Sequence, residues 1–172
     1  MNYNQILKEG EIFLKNKKSK NSYLDVELIL SKVVNKKREE IILNSNNKLK
    51  NTDIIKFKNY LFRRYRNEPM AYILGYKHFW KHKFLTNKSV LIPRPDTELV
   101  IEETLNYLPI DKSKKILDVG TGSGCIVLSL IKERPKCKAT AIDISIKALN
   151  VAKTNAKLHH LENKINFINI DI

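Results

Sequence analysis

The chain has 172 residues, enough for one ordinary domain or two small ones. Two cysteines without C-x-x-C spacing argue against a disulfide framework, and the four histidines lack the partners of a metal site. No run of 18 apolar residues and no apolar signal segment occur, so we expect neither a membrane span nor secretion, and predict a cytoplasmic protein.

The formal net charge of +14 is concentrated in the N-terminal half of the chain. Residues 1–92 contain 20 Lys and Arg against 8 Asp and Glu, whereas residues 93–172 contain 12 against 10. A basic region can bind an acidic protein or nucleic acid. Of the 32 cations, however, 26 are Lys, which is equally consistent with AT-rich coding. Proteins that recognise bases and phosphates favour Arg over Lys, so direct binding of nucleic acid is not expected.

The chain falls into three predicted segments. Through residues 1–70, apolar residues recur at helical spacing, which predicts a helical bundle whose last helix ends at Pro69. Residues 71–92 are rich in aromatic and branched side chains and predict a β-hairpin linker. Residues 93–172 alternate strand-like and helix-like runs, which predicts an α/β domain. In Pro93–Glu98, Asp96 is a candidate N-cap for a helix through about Tyr107.

A glycine-rich loop follows the first predicted strand of the α/β segment. Residues 116–124 read Ile-Leu-Asp-Val-Gly-Thr-Gly-Ser-Gly, and an apolar helix-like run begins at Cys125. The glycine spacing is G-x-G-x-G, whereas the dinucleotide fingerprint is G-x-G-x-x-G, and no Gly-Lys-Ser/Thr of a P-loop occurs. Glycines admit positive φ, and a helix N-terminus offers free N–H groups to an anionic ligand.

An acidic residue ends the second predicted strand. The run from Ala139 to Ile142 leads into Asp143, 23 residues after Gly120, and Ser145 can cap the following helix. Acidic residues at this point accept hydrogen bonds from ribose hydroxyls. Asp118, the loop and Asp143 together resemble the S-adenosylmethionine site of class I methyltransferases. An NAD(P) site and a glycine turn without any ligand are the alternatives.

A more specific element precedes the loop. Leu-Ile-Pro-Arg-Pro-Asp-Thr-Glu at residues 91–98, Glu-Pro-Met-Ala-Tyr-Ile-Leu-Gly at residues 68–75 and Ala-Ile-Asp-Ile-Ser at residues 141–145 resemble the HemK/PrmC family. These are protein-(glutamine-N5) methyltransferases that act on peptide chain release factors. The resemblance covers nearly the whole chain and is weakest before residue 68.

The resemblance implies a fold, a cofactor and partners. The fold is an N-terminal helical domain for substrate recognition, a hairpin linker, and the first half of a Rossmann-like methyltransferase domain that binds S-adenosylmethionine. The partner is a release factor, the protein is a monomer, and membranes are not involved. The residues that the resemblance implies for cofactor binding are Asp118, Gly120, Thr121, Gly122, Ser123, Gly124, Asp143, Asp171 and Ile172.

The family's catalytic Asn-Pro-Pro-Tyr motif does not occur in this chain. We therefore expect a chain truncated before that motif, and assign no catalytic residue within it. Two other functions remain open. One is an amino-methylating nucleic-acid methyltransferase of the adenine-N6 type, which can share the motif. The other is an inactive fragment of the family.

Overall fold

The structure, a computed structural model, describes residues 1–15 and 21–171. It divides into two compact units, Met1–Leu74 and Gly75–Ile172. The first unit is helical and the second is α/β, as the sequence predicts. Ile172 and residues 16–20 lie outside the described residues.

The described residues of the helical unit form the helices α1 (Tyr3–Lys15), α2 (Ser22–Val34), α3 (Arg38–Leu43), α4 (Asn51–Tyr65) and α5 (Met70–Leu74). Its core consists of apolar side chains that recur every three or four residues, so that each helix turns one stripe inward. The buried members include Ile6, Leu7, Leu14, Val26, Ile29, Leu30, Ile41, Phe57, Leu61 and Ile73.

Ion pairs connect helices of this unit at buried positions. The Arg64 Nε of α4 donates to the Asp25 Oδ2 of α2 at 2.7 Å, and the aspartate side chain is 7% exposed. Arg38 of α3 pairs with Glu27 of α2, whose side chain is 2% exposed. Carboxylates this deeply buried are stable only when they are paired. The pairs therefore join α2 to α3 and to α4.

The α/β unit begins with an antiparallel hairpin, β1 (Tyr76–Phe79) and β2 (His82–Leu85). A 3₁₀ turn at Pro95–Thr97 leads into α6 (Glu98–Tyr107). Then follow β3 (Lys115–Val119), α7 (Cys125–Glu133), β4 (Lys138–Asp143), α8 (Ile146–Leu158), a 3₁₀ turn at Glu162–Lys164 and β5 (Ile165–Asn169).

The sheet of this unit is parallel in the order β3-β4-β5, with Asp118 opposite Ala141 and Ala141 opposite Phe167. A helix connects each pair of successive strands, which is the Rossmann-like arrangement that the sequence predicts. The core lies between the sheet and α7 and α8, and includes Val127, Leu128, Leu130, Ile131, Ala139, Ala141, Ala156 and Ile165.

Two local predictions were wrong. The hairpin does not extend over residues 71–92, because its strands end at Tyr76 and Leu85 and the residues after Pro69 form α5. The Pro69 carbonyl accepts from the N–H groups of Tyr72 and Ile73, so this proline starts a helical turn. Asp96 is not the N-cap of α6 either, because it lies inside the 3₁₀ turn that precedes the helix.

Candidate functional site

The predicted site residues meet at the carboxyl edge of the parallel sheet. Asp118 lies near the end of β3 and Asp143 ends β4, while residues 120–124 connect β3 to α7. Because the strands are parallel, these ends lie at the same edge, which is where ligands bind in open α/β sheets.

The glycine loop is fixed by backbone hydrogen bonds to β4. The N–H groups of Gly120 and Thr121 both donate to the Ile142 carbonyl, at 2.9 and 3.0 Å. Gly120, Gly122 and Gly124 have φ values of 72°, 57° and 78°. Residues other than glycine rarely adopt such φ values. The glycine spacing is therefore a requirement of this backbone path.

Gly120 and Gly124, the first and last glycines of the loop, differ in their surroundings. A Cβ atom placed on Gly120 would meet nothing within 4 Å. One placed on Gly124 would lie 3.0 Å from the Leu128 Cδ1 and 3.3 Å from the Ala152 Cβ. Gly124 therefore allows close packing of α7 against α8. Gly120 instead leaves bare backbone facing open space, where a ligand can approach it.

Asp143 organises both the loop and the start of α8. Its Oδ2 accepts from the Gly122 N–H at 2.9 Å, and its Oδ1 accepts from the Ser145 N–H at 2.9 Å. Each carboxylate oxygen can accept a further hydrogen bond, so capacity remains for a hydroxyl of a ligand. Ser145 then caps α8 by accepting from the Ala148 N–H, which confirms the predicted cap.

Asp118 supports the loop from β3. Its Oδ2 accepts from the Thr121 hydroxyl at 2.7 Å. Burial raises the pKa of Asp118, and the nearby Asp143 carboxylate raises it further, while the Thr121 hydroxyl and the Val127 backbone N–H act in the opposite direction. Val127 lies in the first turn of α7, so the carboxylate supports both the loop and the beginning of that helix.

Cys125 is the first residue of α7 and stands where a dinucleotide fingerprint would have its third glycine. Its side chain is buried, and burial raises the pKa of the thiol to about 11. The thiol is therefore protonated at neutral pH, and only the thiolate is a nucleophile. Cys125 is therefore a buried member of the hydrophobic core at the start of α7.

The end of β5 joins the same edge. The Asn169 Nδ2 donates to the carbonyls of Asp143 and Ile144, both at 2.8 Å, and the Ile170 N–H donates to the Asp143 carbonyl. These bonds hold the segment that leads to Asp171, whose side chain is exposed. The other predicted adenine contact, Ile172, lies outside the described residues.

Glu98 of the Pro-Arg-Pro-Asp-Thr-Glu element contacts the hairpin turn. Its Oε1 accepts from the Trp80 backbone N–H at 2.7 Å. Trp80 has a φ of 53°, a strained value for a bulky residue. The Trp80 indole N–H donates to Glu133 of α7 at 2.9 Å. Glu98 thus stabilises the turn, and Arg94 of the same element is exposed.

Asn155 is a residue near the site that sequence reasoning missed. It is fully buried in α8 and binds both the Ser123 carbonyl of the loop and the backbone of Leu85. The signal was present in the sequence, because Asn155 is a polar residue among the inward-facing Ala148, Leu149, Ala152 and Ala156. Buried amides are hydrogen-bonded, but periodicity cannot name their partners.

Two further findings concern metal binding and membrane spans. Within residues 1–15 and 21–171, no group of three or more His, Cys, Asp or Glu side chains is placed to hold a metal ion. None of the helices in these same ranges combines the length and the apolar character that crossing a bilayer requires.

The chain matches two known domain families, the PrmC N-terminal domain over residues 5–75 and a methyltransferase domain over residues 110–172. It is 42% identical over 157 residues to the release factor glutamine methyltransferase of Buchnera aphidicola subsp. Baizongia pistaciae, covering 91% of this chain and 56% of that protein. It is 41% identical over 145 residues to the protein of that name from Coxiella burnetii, covering 84% and 52%.

A bifunctional methyltransferase of Rickettsia bellii is 36% identical over 190 residues, covering 95% of this chain and 34% of that protein. The chain therefore spans about half the length of the two release factor glutamine methyltransferases, and about a third of the bifunctional protein.

Proposed function

Because the chain belongs to the HemK/PrmC methyltransferase family, we propose that it serves the transfer of a methyl group from S-adenosylmethionine to a glutamine side-chain amide of peptide chain release factors. The observation that carries the proposal is the glycine loop held open at the carboxyl edge of the sheet, beside Asp143. The names of the Buchnera and Coxiella relatives support the choice of substrate.

The residues present fit S-adenosylmethionine. The bare backbone at Gly120 leaves room for the methionine part, and the N–H groups at the start of α7, other than that of Val127, would face its carboxylate. Asp143 keeps acceptor capacity for the ribose hydroxyls. Asp171 and Ile172 would face the adenine, and Asp118 would support the loop. When bound, the cofactor supplies a methyl group activated by its positively charged sulfur.

The acceptor of the proposed reaction is a poor nucleophile, because the lone pair of an amide nitrogen is delocalised. Catalysis would then depend on placing the amide in line with the methyl group and on hydrogen bonds that orient its NH₂. Asn-Pro-Pro-Tyr would serve this purpose in the family, and it does not occur among these 172 residues. The residues of this chain are therefore assigned to holding the methyl donor.

The helical unit is proposed to recognise the release factor. Its match to the PrmC N-terminal domain supports this role. Residues 1–74 contain 16 Lys and Arg against 8 Asp and Glu, an excess of positive charge suited to an acidic protein partner. We further propose that the protein acts as a monomer in the cytoplasm and that the substrate is a protein, without direct binding of nucleic acid.

The test is methyl transfer by the full protein. Purified release factor and tritiated S-adenosylmethionine would be incubated with the protein, beside a release factor in which the acceptor glutamine is replaced by alanine. The proposal predicts label in the unmodified release factor and none in the alanine variant. Label in DNA or RNA with an unlabelled release factor would instead establish the adenine-N6 alternative. No label in any substrate would support the inactive fragment.

A further inference from the structure

Asn155 uses its side-chain amide to join three elements of the α/β unit. It lies in α8 and is fully buried. Its Oδ1 accepts from the Leu85 N–H at 2.7 Å, and its Nδ2 donates to the Leu85 carbonyl at 3.0 Å and to the Ser123 carbonyl at 2.8 Å. Both amide protons are thus used, together with the carbonyl oxygen.

At Leu85, Asn155 takes the place of a neighbouring strand. Leu85 ends β2, which pairs with β1 alone in the hairpin. The other edge of β2 is held by α8 and its C-cap, since the Lys83 carbonyl also lies 3.0 Å from the His159 Nε2. The amide of Asn155 pairs with the N–H and the C=O of the same residue. Asn155 therefore anchors the end of β2 to α8 at a point where the hairpin itself provides no partner.

At Ser123, Asn155 fixes one side of a peptide group whose other side is already held. The carbonyl of Ser123 accepts from Asn155, and the N–H of the same peptide group, that of Gly124, donates to the Thr121 carbonyl at 2.8 Å. The orientation of this peptide sets the φ of 78° at Gly124, where the loop becomes α7. The first-turn N–H groups of α7 follow from this position.

We propose that Asn155 is a positioning residue for the cofactor loop. It holds the Ser123–Gly124 peptide in the orientation that presents the start of α7, and it couples that peptide to the hairpin through Leu85. This inference rests on the proposed function insofar as the loop binds S-adenosylmethionine. An amide is required here, because aspartate would lose both donors and an aliphatic side chain would leave the buried Ser123 carbonyl and two partly buried backbone groups of Leu85 without this partner.

The test compares Asn155→Ala with Ser129→Ala in the full protein. Ser129 is also fully buried, and its hydroxyl donates to the Cys125 carbonyl within α7. Ser129→Ala removes a buried hydrogen bond of the same unit but leaves the Ser123 carbonyl held. Two quantities are measured for each variant: amide hydrogen exchange at Gly124, and the dissociation constant for S-adenosylmethionine by calorimetry.

We expect exchange at Gly124 to be about tenfold faster or more in Asn155→Ala than in Ser129→Ala, and affinity to fall about tenfold or more. Ser129→Ala should stay near the wild-type affinity. Unchanged Gly124 exchange, or an unchanged affinity, in Asn155→Ala would overturn the inference. If Asn155→Ala does not fold, Asn155→Asp is measured in its place, since it keeps the acceptor for the Leu85 N–H and loses the donors to the Leu85 and Ser123 carbonyls.

The two measurements also separate this inference from the proposed function. A wild-type protein that does not bind S-adenosylmethionine contradicts the proposed function, while the exchange at Gly124 still decides whether Asn155 positions the loop. A wild-type protein that binds the cofactor and an Asn155→Ala variant that binds it equally well contradict only the positioning role.

Discussion

The two compact units use their buried and half-buried polar groups in different ways. In the helical unit, buried carboxylates pair with arginines of other helices, as Asp25 does with Arg64. In the α/β unit, Asp118, Asp143 and Asn155 bind a hydroxyl and backbone groups around a single loop. The first arrangement specifies which helices pack together, and the second specifies a backbone shape. Supporting hydrogen bonds of this kind are what a preorganised ligand site requires.

The largest effect is expected from Asp143→Ala in the α/β unit. The change removes two charge-assisted bonds to backbone N–H groups, and with them the proposed ribose acceptor. Hydrogen bonds of charged groups contribute about 1.5–3 kcal/mol each, so the affinity for S-adenosylmethionine should fall about 100-fold. Calorimetry measures this, with Asp111→Ala as the control, because Asp111 is an exposed aspartate of the same unit. Equal affinities in the two variants would contradict the assignment.

Gly124→Ala should destabilise the α/β unit more than Gly120→Ala. Both positions have a positive φ, so both variants incur similar backbone strain. Only at Gly124 does the new methyl group meet α7 and α8, at 3.0 Å from the Leu128 Cδ1. Overpacking costs about 1–3 kcal/mol, and urea unfolding should show a difference of that size between the variants. The same stability in both would mean that packing at Gly124 is not what fixes the loop.

Asp25→Ala tests whether the ion pair of the helical unit contributes to stability and not to cofactor binding. It removes the bond to Arg64 and should lower the free energy of unfolding by about 2 kcal/mol. The affinity for S-adenosylmethionine should not change, because the pair lies within the helical unit. Thermal unfolding and calorimetry on the same sample measure both. A large loss of affinity at unchanged stability would contradict the division of roles.

Ser145→Ala should have a smaller effect. The hydroxyl caps α8 through the Ala148 N–H, and such caps contribute about 1 kcal/mol. Ser113→Ala, at an exposed position before β3, is the matched control and should stay close to wild type. Urea unfolding of the two variants distinguishes them. Equal stabilities would show that the cap does not contribute to the free energy of unfolding.

The smallest effect is a pH dependence from Asp118. Burial raises its pKa above the ordinary value of 3.8, so the folded protein binds this proton more tightly than the unfolded chain does. The associated stability is complete below 3.8 and is lost as the pH rises through the raised folded pKa. The free energy of unfolding of Asp118→Asn, relative to that of wild type, should increase as the pH rises across this range. A constant difference would contradict the raised pKa.

Much of the second unit could be predicted from the sequence, because its signals are local. The backbone structure of this unit is indicated by short stretches of sequence: the glycine spacing, the apolar strand runs and the serine before α8. The site residues Asp118 and Asp143 follow from the same logic, since each stands at or near the end of a predicted strand. Their placement at one edge of the sheet then follows from parallel pairing.

The contacts that the sequence did not reveal are long-range. Asn155 and Leu85 are 70 residues apart in the chain, and Glu98 reaches back to the turn at Trp80. No periodicity connects such positions, because the hairpin must first be placed against α8 and α6. The hairpin itself was predicted too long for a related reason: Tyr72, Ile73 and Leu74 have side chains typical of strands, but burial within the helical unit and the turn at Pro69 make them helical.

The most direct test of the central claim is a crystal structure of the full protein with S-adenosylhomocysteine. We expect the ligand against the backbone of Gly120–Gly124, with its ribose hydroxyls within hydrogen-bonding distance of the Asp143 carboxylate. A ligand bound elsewhere, or an Asp143 that makes no contact with a ligand bound at the loop, would contradict it.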